Sequence, residues 1–277
     1  MGQCIYCNES AGWFRKRHKA CELLHKEATS DIATWTLQTG TNGGSLRELA
    51  AKITTRGQEG HVNDRARSTA IASGLAHLLN HYLEDHALSA EEEANVERLV
   101  SELPVDRKIL EELGLVEQVV KASLVRSLHE GTVPEPKMKW DANLPFLFQK
   151  SEKLLWVYPK AEYLERGTRT EYRGRSQGVS IRIVKGVYYR TGAFRGNPVE
   201  VETLKSFGTG VLAITTKHLY FGSEQKSLKV PYGKLVSINT YSDAVQVQKD
   251  GVSSKPQIFK GIDGWFVANI VSNCTEN

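Results

Sequence analysis

The chain has 277 residues, 40% of them hydrophobic and 25% charged, with a formal net charge of +4. This is ordinary globular composition, long enough for two domains with cores of their own, and it excludes a disordered or collagen-like chain. The charge is too small to mark a nucleic-acid or membrane binder by itself, and no run approaches the roughly 18 to 20 apolar residues of a membrane-spanning helix. The opening Met1-Gly2-Gln3-Cys4-Ile5-Tyr6 lacks the apolar stretch of a signal peptide. Tyr6 stands where a myristoylation pattern wants Ser or Thr. Three of the four cysteines fall within the first 21 residues and Cys274 is alone near the end. That distribution suits a reducing, cytoplasmic setting with a local metal site better than a disulfide framework.

The first motif is Cys4-Ile-Tyr-Cys7, followed after ten residues by His18-Lys-Ala-Cys21. Two cysteines separated by two residues sit on a tight turn, and residues spaced i and i+3 lie one turn apart on one side of a helix. Helix-forming residues from about Arg15 to Ala28 support that second half. Cys4, Cys7, His18 and Cys21 therefore read as the closed ligand set of a structural zinc ion, because a catalytic zinc keeps one position open. Trp13 and Phe14, between the two pairs, are expected to pack over the site. His25, one turn beyond Cys21, is a possible substitute ligand. The paired halves resemble the small zinc-ribbon or zinc-finger modules that open many bacterial proteins. A thiol redox pair is the competing reading, but it would need a βαβ context that the sequence lacks.

Residues 31–44 are polar and glycine-bearing and read as a loop. Ser45 with Glu48 signals a short helix to about Ile53, and Arg56-Gly57-Gln58-Glu59-Gly60 reads as a second loop. Between Asn63 and Glu84, Ile71, Leu75, Leu78, Leu79, Tyr82 and Leu83 recur at helical spacing. Ser89 with Glu92 opens another helix, carrying Val96, Leu99, Val100 and Leu103 and stopped by Pro104. A further helix carries Val116, Val119, Val120, Leu124 and Leu128 toward Gly131. These amphipathic segments imply a small bundle. Residues 84–130 hold 12 acidic side chains against 5 Lys/Arg. Asp85 and the glutamates after Ser89 lack the alternating ligands and central glycine of a calcium loop. His77, His81 and His86 lack the glutamate of a His-Glu-x-x-His zinc motif and read as surface histidines.

After Val133-Pro-Glu-Pro136 the periodicity changes from helical to alternating. Strands are expected at Leu154–Tyr158, Tyr163–Tyr172, Val179–Val184, Val211–Ile214, His218–Phe221, Lys226–Val230, Leu235–Asn239, Val245–Gln248 and Gln257–Phe259, with an amphipathic helix over Gly261–Asn273. The stretches Gly210–Phe221, Lys229–Tyr232 and Leu235–Ile238 resemble the core of the GRAM and bacterial PH-like group. Tyr241-Ser-Asp243 and Gly264-Trp-Phe266 resemble segments of an uncharacterised bacterial family that joins a zinc module, helices and this domain. The resemblance implies an antiparallel PH-like β-barrel capped by a C-terminal helix. It also raises anion binding: Lys160 and Arg173-Gly-Arg175 supply the residue types, and Arg166 and Arg169 add charge nearby. Residues 160–205 carry 10 Lys/Arg against 5 Glu.

The expected organisation is α+β and multidomain: a zinc module (1–30), a linker with a short helix (31–60), a helical bundle (61–131), a linker (132–145) and the PH/GRAM-like domain (146–277). No Gly-x-Ser-x-Gly elbow, phosphate loop or dinucleotide fingerprint is present. The expected function is therefore that of a non-enzymatic interaction or scaffold protein, with structural Zn2+ and a protein or peptide partner. The alternatives are binding of anionic lipid or nucleic acid through the basic C-terminal face, or an enzyme whose Cys/His or Ser/His pair forms only on folding.

Overall fold

The structure is a computed structural model. It describes residues 2–84, 88–135, 144–184, 187–251 and 254–275, with the backbone alone over 167–184 and 187–202. The chain divides into two compact units, Met1–Met138 and Lys139–Asn277. Among the described residues no helix is long and apolar enough to cross a membrane.

Among its described residues the first unit is a two-stranded hairpin followed by six helices. β1 (Gly2–Gln3) pairs with β2 (Ser10–Gly12), and α1 (Lys19–Asn42) follows. α1 continues through residues 31–42, so the loop expected there is corrected. Its glycine and threonines serve packing rather than turning. A Cβ on Gly40 would lie 2.4 Å from Leu78 Cδ2, so glycine lets α3 (Asp64–Tyr82) come this close without displacing that buried side chain. Thr29, Thr36 and Thr41 hydrogen-bond the carbonyls of His25, Ile32 and Leu37, which satisfies their hydroxyls within the helix. Gly43, at φ 77°, ends it.

α2 (Leu46–Glu59) starts on a Ser45 cap and runs past Ile53, with Gly57 buried in its last turns. The loop expected at 56–60 is therefore also helical up to Glu59. α4 (Ala90–Glu102) opens on a reciprocal Ser89–Glu92 capping box. A short α5 (Arg107–Glu112) precedes α6 (Leu115–His129), which begins after the left-handed Gly114. Ile32, Leu49, Ile53, Ile71, Leu75, Leu78, Leu79, Leu88 and Leu99 form one core. Glu93, buried among these helices, is neutralised by a hydrogen-bonded ion pair with Arg126.

Two glycines in this core give opposite expectations for the same substitution. A Cβ on Gly74 would meet the Ala33 carbonyl oxygen at 2.4 Å, and backbone cannot move aside cheaply. Gly74→Ala should lower stability by about 1–3 kcal/mol despite its better helix propensity. The nearest atom to a Cβ on Gly57 is 3.9 Å away, an ordinary contact. Gly57→Ala should therefore raise stability by about 0.5–1 kcal/mol. Thermal melts of the two variants check the signs.

The second unit is a seven-stranded antiparallel sheet in the order β6-β5-β4-β3-β9-β8-β7. Its strands are β3 (Leu154–Val184), β4 (Val187–Thr215), β5 (His218–Gly222), β6 (Ser227–Pro231), β7 (Leu235–Thr240), β8 (Ala244–Lys249) and β9 (Gln257–Lys260). The segments expected at 154–158, 163–172 and 179–184 belong to one strand. It pairs with β4 from Leu154↔Thr215 to Val184↔Val187, with a register shift across Pro159, whose missing N–H a bulge tolerates. β9 covers only Glu162–Glu165, so beyond that point β3 and β4 continue as a two-stranded ribbon.

The expected closed barrel is corrected: β6 and β7 are the sheet's two edges and do not pair with each other. They are joined by a 3-10 turn (Tyr232–Lys234), whose Tyr232 is tied back to the β4–β5 hairpin through the Thr215 and His218 carbonyls. α7 (Gly264–Thr275) buries Phe266, Val267, Ile270 and Val271. Phe266 meets the buried Trp156 edge-on with ring centroids 5.1 Å apart. Tyr163, Phe221 and Phe259 fill the rest of the core, their centroids 5.3–6.0 Å apart.

Candidate metal centre

The hairpin and the start of α1 build one site. Cys4 leaves β1 into a turn closed by two backbone bonds, Cys4 N–H to Glu9 O (2.7 Å) and Asn8 N–H to Cys4 O (2.9 Å). Asn8 takes the left-handed φ of 60° that Asn tolerates best among non-glycine residues. This turn points Cys4 and Cys7 the same way. His18 is the N-cap of α1 with an extended backbone, and Cys21 lies in the first turn. The i, i+3 pair thus straddles the helix start rather than sitting within it.

The four ligand atoms of Cys4, Cys7, His18 and Cys21 lie within 4.8 Å of one another. His18 Nδ1 is 3.4 Å from Cys7 Sγ and 3.6 Å from Cys21 Sγ. A tetrahedral ion with metal–nitrogen and metal–sulfur bonds of about 2.0 and 2.3 Å would set N and S about 3.5 Å apart. The spacing therefore fits a single metal ion. The other ring nitrogen, Nε2, is 3.1 Å from the Ser10 carbonyl. A proton on Nε2 donated to that oxygen leaves Nδ1 with its lone pair toward the sulfurs, the outer-sphere contact that orients a ligating histidine.

The thiols are prepared unequally. Burial pushes Cys4 up, but the backbone N–H groups of Cys7, His18 and Tyr6 outweigh it and bring the thiol down from 9.0 to about 6. The His18 N–H bond to Cys4 Sγ, 3.4 Å long, is one of these. Burial and the neighbouring Cys7 and Cys4 sulfurs push Cys21 up to about 11. One site carries a ready thiolate and one a reluctant one, the pattern expected when like charges crowd a place that a cation would neutralise.

Two expectations about this site are corrected. Trp13 and Phe14 do not cover it: they are 76% and 99% exposed. His25 is not a ligand. Its Nδ1 faces the Gly60 carbonyl at 3.2 Å and its ring packs on Tyr6 at 4.6 Å.

Of the expected anion-binding residues, the side chains of Lys160 and Arg166 are described. Lys160 and Arg166 are both exposed on β3. They stand six residues apart on a segment with a register shift between Glu162 and Leu164. The side chains of Arg169, Arg173 and Arg175 lie outside the described residues. Of the histidines, His81 is 3.4 Å from Glu84, His77 lines a groove between α1 and α3, and His86 lies outside the described residues.

Sequence reasoning missed a polar cluster inside the second unit. The Glu152 carboxylate, fully buried, accepts hydrogen bonds from the Gln149 N–H (2.6 Å), the Thr215 hydroxyl (2.8 Å) and the Tyr220 hydroxyl, and pairs with His218 Nδ1 at 2.8 Å. Burial pushes this carboxyl up, but the Tyr220, Gln149, His218 and Thr215 donors outweigh it and hold it at about 2. Its partners are 63 to 68 residues away, apart from Gln149, so no local spacing could reveal the cluster. No family model matches this chain, and no curated protein matches it significantly.

Proposed function

We propose that this is a non-enzymatic docking protein. A structural zinc ion, held by Cys4, Cys7, His18 and Cys21, fixes the start of its first unit, and its second unit is a PH-like domain that takes an extended protein segment along β7. Three thiolates and one imidazole at tetrahedral spacing suit zinc among the common divalent ions, and four protein ligands leave no position for a substrate. The zinc would supply charge neutralisation and a crosslink there. The PH-like reading is supported by the strand order, in which the first and last strands of the sheet-forming segment, β3 and β9, are neighbours and a helix follows.

The observation that carries docking is the β7 edge. Among the described residues β7 pairs with β8 alone, so one row of its backbone groups faces away from the sheet, and Val236 on it is 63% exposed. Such an edge is a template for an added strand, with the backbone giving affinity and alternate side chains giving specificity. Partners bound to the full chain should protect the amides of residues 235–240 from hydrogen exchange, and Val236→Lys should weaken them. Protection confined to other segments, with Val236→Lys binding normally, would overturn the reading.

A second reading, binding of a polyanion such as nucleic acid or an anionic lipid surface, is favoured by the β3–β4 ribbon. Its register places Arg175 opposite Arg195 and brings Arg169 and Arg173 onto the same two-stranded segment. Binding through that ribbon would fall steeply as salt rises.

A further inference from the structure

The two aromatic residues that fail to cover the metal site stand at the tip of the loop between β2 and α1. Phe14 is 99% exposed and Trp13 76%. Phe14 also holds a φ of 67°, a left-handed conformation that a bulky side chain rarely takes. A strained backbone beneath an aromatic ring left in water is a reason to look for a role outside the core. The loop is braced from below: the Ile5 N–H bonds the Lys16 carbonyl at 3.0 Å, and Ile5, held there, is itself 63% exposed. Leu23, on the first turns of α1, is 58% exposed.

The residues that follow Phe14 in the chain are cationic. Arg15, Lys16, Arg17 and Lys19 are all exposed. Arg17 is paired with Glu22 at 2.9 Å, whereas among the described residues Arg15, Lys16 and Lys19 have no ion-pair partner. Exposed tryptophan and phenylalanine beside exposed cations, with Ile5 and Leu23 also exposed, are the residue types that a membrane surface selects. Rings and aliphatic groups partition into the boundary beneath the headgroups, and Arg and Lys meet the anionic headgroups above it.

We propose that the metal-bearing module carries a membrane-docking tip, in which Trp13, Phe14 and Ile5 enter the interface of an anionic bilayer while Arg15, Lys16 and Lys19 contact its headgroups. Single-stranded nucleic acid is the rival with related chemistry, since it also selects aromatics beside cations. The ring geometry disfavours it. Trp13 and Phe14 stand edge-to-face, 6.3 Å between centroids and 73° between planes, so they do not form the parallel platforms on which successive bases stack. Ile5 and Leu23 offer bases no stacking face, whereas a bilayer interface accepts them. The attachment is reversible, because one shallow tip is far weaker than a spanning helix.

The test uses the full chain and co-sedimentation with vesicles of phosphatidylcholine containing about a third phosphatidylserine, compared with phosphatidylcholine alone. The wild type should prefer the anionic vesicles. Trp13→Ala/Phe14→Ala should reduce partition about tenfold or more. Arg15→Gln/Lys16→Gln should reduce it about fivefold per charge removed. Both variants should keep the metal content of the wild type, since none of these side chains contributes a ligand. Val236→Lys should not reduce vesicle binding, which separates this proposal from strand docking at β7. The proposal is overturned if the wild type does not bind anionic vesicles, or if Trp13→Ala/Phe14→Ala binds them as well as the wild type. It is also overturned if the two rings instead mediate self-association or capture a single-stranded oligonucleotide without vesicle binding.

Discussion

Cys7→Ser should abolish stoichiometric metal binding and release the backbone of residues 2–18, while α1 from about Ala28 onward and the whole second unit keep their protection. The hairpin before α1 has almost no core of its own: Cys4 and Ala11 are its buried apolar residues, while Ile5, Trp13 and Phe14 lie in water. So small an apolar surface cannot offset the conformational entropy of ordering the segment. A structural zinc is worth about 10–16 kcal/mol in small modules near neutral pH, and this energy is what folds them. Beyond the module α1 changes character. Ala28 and Ile32 are fully buried, and the close approach of α1 to α3 at Gly40 does not depend on the metal. Disorder should therefore stop where the core begins. Metal analysis with hydrogen exchange on the same samples reads both effects, and Co2+ loading should give the absorption of tetrahedral thiolate coordination. Acid should mimic the substitution, because protons compete for each sulfur. Cys21, pushed up to about 11, holds its proton near neutral pH until a metal displaces it to solvent. Loss of order throughout the first unit on Cys7→Ser would contradict this division.

What the sequence made legible follows from how local each constraint is. A metal demands its ligands at short, fixed separations, so Cys4-x-x-Cys7 and His18-x-x-Cys21 could be read directly. The capping box at Ser89 and Glu92 spans three residues and was equally plain. The stripe of Ile71, Leu75, Leu78 and Leu79 is a property of one helix and proved fully buried. Residues 31–42 were misread because their glycine answers to Leu78, a residue 38 positions away, rather than to a turn. The exposure of Trp13 and Phe14 was hidden for a related reason. Composition says that aromatic residues prefer a core, but nothing near them in sequence states whether a core is within reach. Closure of the sheet was overestimated because strand count says nothing of whether the two edge strands meet. The β3 half of the ribbon was legible only in pieces, because Gly174 and Gly178 interrupt the alternation between residues 172 and 179, and β4 before Val211 was missed.

Glu152 carries the largest single-residue effect expected in the second unit. Glu152→Ala should destabilise that unit by about 3–5 kcal/mol, because it strips a buried network of its carboxylate and leaves several donors without that acceptor. Those donors hold together parts of the sheet that no other buried ion pair among the described residues links. Thr215 ends β4, while His218 and Tyr220 belong to β5. Glu152→Gln keeps the shape and one acceptor oxygen, so its cost should be smaller, and its clearest signature should be in acid. In the folded chain the carboxyl sits at about 2 against an ordinary value of 4.5. A carboxyl depressed in this way stabilises the fold above its unfolded value, and that stabilisation fades as pH falls from about 5 toward 2. The wild-type unit should therefore lose stability steeply over that range, whereas Glu152→Gln, with no proton to take up there, should start lower and fall less. Chemical denaturation of both proteins between pH 7 and 3, followed by exchange of the β4 and β5 amides, measures the two slopes. Parallel slopes would show that the acid sensitivity comes from other carboxylates and that the Glu152 network is held by its neutral hydrogen bonds instead of by charge.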